Sequence, residues 1–129
     1  MASQMSTYLQ NAVVNATLRN TSYTSPTTVY VGLYTAAPTA GGGGTEVSGG
    51  SYARTAVTMG SPSSGVSTNS ANCTFPTATA SWGTVTYMGI FDASTSGNML
   101  YFAPLTNSKT IDIGDVFQIS SSNLTVSLA

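Results

Sequence analysis

The rhythm of this chain limits what it can become. Apolar and polar residues alternate in about eight or nine short runs, spaced roughly ten residues apart, with Gly, Pro, Asn, Asp or Ser clusters between them. A period of two places successive side chains on opposite faces of a strand. Short strands at this spacing predict an all-β fold: an antiparallel sandwich, jelly-roll-like or Greek-key. In Thr28–Thr35, Val29, Val31 and Leu33 alternate with Tyr30, Gly32 and Tyr34. Both faces carry bulk, so the run predicts a central strand. Gly83–Asp92 is dense in Val85, Tyr87, Met88, Ile90 and Phe91 and predicts a strand buried on both faces. Met99–Leu105 pairs back after a turn at Gly97-Asn98. Val66–Phe75 alternates weakly. Lys109–Ile113 and Val116–Ser120 flank a turn at Gly114-Asp115, and Leu124, Val126 and Leu128 alternate to the end.

One segment breaks the rhythm. From Ser3 to Asn20, Met5, Leu9, Ala12 or Val13, and Ala16 recur at steps of three and four, which predicts a helix with one apolar stripe. Ser3 or Ser6 suits its N-cap, and Arg19 complements the dipole at its end. A helix of this length is marginal alone, so it must dock. Two surfaces are available: its own sheet, or a neighbouring subunit reached by an arm. The chain of 129 residues reads as a single domain, with residues 1–22 as helix or arm and 23–129 as the sandwich.

The stretch Gly44–Arg54, GTEVSGGSYAR, predicts a β-hairpin centred on Gly49-Gly50, because two-residue hairpin turns need positive φ. Ser48 then faces Ser51, and Val47 faces Tyr52. Glu46 and Arg54 fall diagonally across the pair, close enough for an ion pair. The pair is either a rim contact of little energetic weight or part of a subunit contact whose geometry it sets. Glu46, Tyr52, Arg54, Met5 and Leu9 are the candidate interface residues.

Composition narrows the function. Charged residues are 5%, against a usual quarter, with three basic and four acidic side chains. Ser, Thr, Asn and Gly fill the polar positions. A net charge of −1 gives no electrostatic footprint for nucleic acid or an anionic membrane. No apolar run approaches the length of a membrane span, and no signal peptide is evident. Such a surface suits life packed against neighbours. There is no histidine, so the commonest general base and metal ligand is missing. Asp112 and Asp115 flank a turn and read as turn formers rather than a cation site. Ser108 and Lys109 are adjacent on a strand, point to opposite faces and do not form a dyad. The glycine run before Thr45 lacks the Lys-Ser/Thr of a phosphate loop. The single Cys73 reads as a small core residue; Trp82 reads as core or contact surface, with core favoured. No cofactor or metal is implied, and no catalytic constellation.

GTEVSGGSYAR followed by TAV, together with VYVGLYTAAPT, WGTVTYMGIFDASTSGNMLYF, LTNSKTIDIGDVFQI and LTVSL, resembles a family of small structural proteins of tailed bacteriophages. The resemblance covers nearly the whole chain. Members are often labelled tail-fibre proteins, and similar small β-proteins decorate phage capsids. It implies a non-enzymatic virion protein made in the host cytoplasm. The first expectation is a capsid decoration or cement protein that bridges capsomers of the major capsid protein lattice. The alternative is a tail-fibre or receptor-binding module among tail proteins. Either implies a homo-oligomer, with a trimer favoured, and aromatic contacts from Tyr23, Tyr30, Tyr34 or Tyr52.

Overall fold

The computed structural model describes residues 4–128. In chain order the elements are β1 (Gln4–Met5), α1 (Thr7–Leu18), β2 (Val29–Ala36), β3 (Thr45–Glu46), β4 (Thr55–Val57), β5 (Val66–Thr68), β6 (Cys73–Thr74), β7 (Gly83–Phe91), β8 (Met99–Ile111), β9 (Gln118–Ile119) and β10 (Thr125–Ser127). They form an antiparallel β-sandwich with one N-terminal helix, as the alternation predicts.

The first layer runs β1-β8-β7-β2, with β3 and β4 sharing the far edge of β2. The central position of β2 follows from its two apolar faces. Val31 sits opposite Ile90 and Leu33 opposite Met88, and all four point into the main core. Gly32 opposite Gly89, and Tyr34 opposite Tyr87, lie on the other face. Leu9, Tyr34, Phe91, Leu100 and Phe102 are buried outside the main core. So both faces of this layer are covered, one of them thinly.

The second layer is a ribbon in two parts, β5 with β10 and β6 with β9. It brings Cys73, Phe75, Phe117, Ile119, Leu124 and Val126 onto the core. The predicted strand Val66–Phe75 is interrupted at Asn69, which is fully buried. Its side-chain amide donates to the carbonyls of Ala71 (2.9 Å) and Ser120 (3.0 Å), and its Oδ1 accepts from the Leu124 N–H (2.9 Å). A buried amide persists only when it is bonded in this way, and here it splices the two parts of the ribbon.

The predicted turn at Gly114-Asp115 forms, but the runs that flank it do not pair with each other. β8 continues through Ile111 against β7, and Asp115 closes a turn by accepting the Asp112 N–H at Oδ2 (2.9 Å). The chain then crosses to the other layer, where Ile119 pairs with Cys73. That crossing buries Phe117 and Ile119, which pairing back on β8 would not do.

The helix begins later than the periodicity suggests. Ser6 is its N-cap, with Oγ accepting from the Leu9 N–H (3.2 Å), and Ser3 lies outside the described residues. Gln4 and Met5 pair as strand β1 with Phe102 and Tyr101, so Met5 does not belong to the helical stripe. The helix docks on its own sheet through Leu9, its one fully buried residue. Arg19 is the C-cap, outside the last turn.

Candidate functional site

β3 and β4 are two pieces of one edge strand. β3 pairs with the Tyr34–Ala36 end of β2, the Val47 N–H bonds to the Leu33 carbonyl (2.9 Å), and β4 resumes opposite Val31. Between them the stretch 48–54 leaves the sheet. The predicted hairpin is therefore corrected: Glu46 and Arg54 come together because the chain departs from the edge of β2 and returns to it, and the arms do not pair. Its turn is centred on Gly50-Ser51, one residue later than predicted, with φ of +57° and +64° and the Tyr52 N–H bonded to the Gly49 carbonyl (3.0 Å). So Ser48 does not face Ser51, nor Val47 Tyr52. Gly50 is held close to its neighbours, since a Cβ there would lie 3.0 Å from the Trp82 indole nitrogen. The Trp82 indole donates to the Gly50 carbonyl (2.9 Å).

The departure leaves a gap in the ladder beside Gly32, and side chains fill it. The Tyr52 hydroxyl accepts the Leu33 N–H (2.9 Å) and donates to Glu46 Oε2 (2.7 Å), standing in for a strand carbonyl. Arg54 grips Glu46 with both prongs, Nε to Oε2 and Nη2 to Oε1, each 2.9 Å. Its remaining Nη1 donates to the carbonyls of Ala93 (3.2 Å) and Ser96 (2.7 Å) in the loop after β7. The guanidinium carbon lies 3.6 Å from the centre of the Phe91 ring, a cation–π contact. Gly32 is what makes room, since a Cβ there would come within 2.9 Å of both Glu46 Oε2 and Phe91. The ion pair read from the sequence is thus present, bidentate and mostly enclosed, with Arg54 11% and Glu46 25% exposed. It ties the edge of β2 to the turn between β7 and β8.

Burial opposes the charge on Arg54, but the Glu46 carboxylate outweighs it and holds the guanidinium above its ordinary value. Burial first, and then the hydrogen bond to Glu46, pushes the Tyr52 hydroxyl well up. Burial also pushes the Cys73 thiol up to about 11. Both groups are neutral when protonated. Above the unfolded pKa of each, about 8.5 for Cys and 10 for Tyr, the unfolded chain loses a proton that the folded one keeps. Stability contributed by this difference is present below those values and falls as pH rises through them. The melting temperature is therefore expected to be flat from neutral pH to about 9 and to drop beyond it, and Tyr52→Phe should flatten the part of that drop above pH 10. A melting temperature that does not change up to pH 11 would contradict this assignment.

The other predicted contact residues are placed as follows. Tyr34 is buried and stacks on Phe91 at 6.3 Å, so it offers no surface. Tyr52 packs edge-on to Trp82 at 5.4 Å. Leu9 lies under the helix, and Met5, Tyr23 and Tyr30 are half-buried. An open groove of about 640 Å³ runs between the end of β8 and β9, lined by Leu105, Asn107, Lys109, Phe117 and Gln118, among others. Beside it, the β7–β8 register shifts between Val85–Lys109 and Tyr87–Pro104, so residues 105–108 bulge. A proline, a bulge and a lysine on one edge are devices that block addition of a further strand. Ser108 and Lys109 make no hydrogen bond to each other. Among the described residues no cluster of His, Cys, Asp or Glu is arranged to hold a metal, and no helix is long and apolar enough to cross a membrane.

Sequence reasoning missed Gly32, Phe91 and Asn69. The Gly32–Phe91 relation spans two strands, and nothing in a Thr-Asn-Ser run distinguishes a buried Asn from a solvated one.

Asp92 and Asp115 are bonded within turns, and Glu46 with Arg54 inside the sheet edge, so most of the few charges serve the domain itself. Such a sandwich meets the outside with amides, hydroxyls and scattered apolar side chains. Residues 4–127 match the family model described as podophage GP4 fiber I protein gp80, and the chain belongs to that family. It is a phage fibre-type structural protein and a virion component. The match favours the tail-fibre expectation over capsid decoration. No curated protein matched.

Proposed function

We propose that the protein is a non-enzymatic fibre module of a phage tail, assembled with copies of itself, with a trimer favoured, and seated against other tail proteins. The observation that carries this reading is the fibre-family match across residues 4–127, which includes every strand and the helix. The geometry is consistent with it. The charge clamp stiffens one edge of the sandwich from within, so the surface left for partners is nearly neutral and rich in hydrogen-bonding groups. Interfaces of that kind gain from shape fit and hydrogen bonds, since long-range attraction is weak.

Labelling the protein on intact particles and counting copies tests the reading. A few to a few dozen copies at one vertex are expected. Hundreds of copies in icosahedral array would overturn it in favour of a cement protein that bridges capsomers, and absence from particles would overturn both.

A further inference from the structure

Helix α1 ends in a reversal that builds a cleft. Asn20 follows the C-cap at φ +52°, a conformation that asparagine tolerates better than most residues. The Thr21 N–H then bonds to the Asn15 carbonyl (3.1 Å), and the chain returns so that Tyr23 reaches the same cleft as Tyr8, near the start of the helix. The cleft holds about 270 Å³. Tyr8 and Asn15 line it from the helix, and Thr21, Tyr23 and Thr24 from the returning segment. Tyr34 and Tyr52 spend their rings inside the sandwich, on Phe91, Phe75 and Trp82. Tyr8 and Tyr23 do not. Among the described residues neither ring meets another aromatic ring, and neither hydroxyl has a hydrogen-bond partner. The Asn15 side-chain amide, though half-buried, has none either. Burial, and after it Tyr8, Asp92 and Tyr101, hold the Tyr23 hydroxyl above its ordinary value, so these groups gather round it. Asp92 is the one carboxylate of that set, and no Lys or Arg lines the cleft.

The geometry points to a saccharide site here, with a neutral pyranose seated between α1 and residues 21–24. The inference stands on the cleft alone and goes beyond the fibre reading, which assigns no ligand. A pyranose has C–H faces that pack on an aromatic ring and hydroxyls around its edge that both donate and accept. The cleft answers both, with two tyrosine rings and the Ala12 methyl for the faces. The Asn15 amide, two donors and an acceptor, and the Thr21 and Thr24 hydroxyls suit the edge. Other ligands fit less well. A phosphate or carboxylate finds no cation and faces Asp92. A wholly apolar ligand would cover the Asn15 amide without bonding it. An extended peptide gains its affinity from a free strand edge, and neither wall of the cleft is a strand.

Saturation-transfer NMR on the full chain tests this. The probes are the methyl glycosides of glucose, galactose, mannose and N-acetylglucosamine, with N-acetylneuraminic acid as the anionic counterpart. At least one neutral glycoside should bind, with a dissociation constant on the order of a millimolar. Tyr8→Ala should raise that constant by about tenfold, and Asn15→Leu by a similar factor, since one removes a ring and the other the amide. Tyr8→Phe, which keeps the ring, should lose much less than Tyr8→Ala. Thr106→Ala, in the groove beside β9, should leave binding unchanged. Tyr8 is 43% exposed, so its truncation leaves the core intact, and near-ultraviolet circular dichroism verifies that each variant stays folded. Three results would overturn the site: no binding of any neutral glycoside, binding of the acidic sugar alone, or unchanged affinity in folded Tyr8→Ala and Asn15→Leu. Each would leave the fibre assignment standing, because the location of the protein on particles decides that separately.

Discussion

Arg54→Ala is expected to lower the melting temperature of the isolated protein by more than about 10 °C, a loss of about 3–5 kcal/mol. An exposed ion pair would contribute less than about 1 kcal/mol. Three features lift this one above that range. The fork is bidentate, with both contacts at 2.9 Å. The third nitrogen holds two backbone carbonyls of the loop after β7, so truncation also frees Ala93 and Ser96. Finally, Glu46 is left facing the Phe91 ring with only Tyr52 as donor, because its site beside Gly32 has no other cation. Glu46 remains a quarter exposed, so water recovers part of the loss, which places the expected value nearer the lower figure. Arg54→Lys should recover less than half, since an ammonium cannot match the fork. Thermal melts of Arg54→Ala, Glu46→Gln and the double variant close a cycle. A coupling energy under about 0.5 kcal/mol would return the pair to the status of a rim contact. The same variant separates the two expectations for the pair. If Arg54 serves only the domain, virion incorporation should fall no further than the melting temperature accounts for.

The alternation made the sandwich legible, and β2 and β7 as its centre, because burial on two faces leaves a mark in each residue of a strand. The Glu46–Arg54 pair was legible because charge is so scarce that two opposite charges eight positions apart stand out. The route that joins them was not. A Gly-Gly pair between strand-forming arms predicts a hairpin, but β2 offers a longer edge than the arms offer each other, and the ladder on β2 won. The turn at Gly114-Asp115 was legible, but where the chain goes after it was not: 109–111 is already paired with β7, and Phe117 gains more by crossing to the core. Met5 shows a further limit. Its three- and four-residue spacing to Leu9 is real, yet Ser6 caps the helix after it, and the edge of β8 takes Met5 as strand. Periodicity reports which residues are apolar on one side; it does not report where a serine side chain stops the winding.

Trp82→Ala should be at least as damaging, at about 3–5 kcal/mol, and should act on the opposite side of the same excursion. Trp82 enters β7 from the second layer, 4% exposed, with its N–H bonded to Ile111 and its indole nitrogen to Gly50. Truncation opens a cavity against Tyr52, whose ring meets the indole edge-on. It also removes one of the groups that hold the Gly50-Ser51 turn against residues 78–82, beside the bonds from Thr79 to Gly50 and Ser51. The Tyr52 hydroxyl depends on that packing to stay between Leu33 and Glu46. Trp82→Ala should therefore weaken the charge clamp at a distance, and the losses from Trp82→Ala and Arg54→Ala should not add. Trp82→Phe should cost less, about 1–2 kcal/mol, since the ring contact is kept while the Gly50 carbonyl retains the Thr79 N–H as donor. Strict additivity in chemical denaturation of the Trp82→Ala/Arg54→Ala pair would show that the turn and the clamp are independent, and that Tyr52 holds its position without the indole.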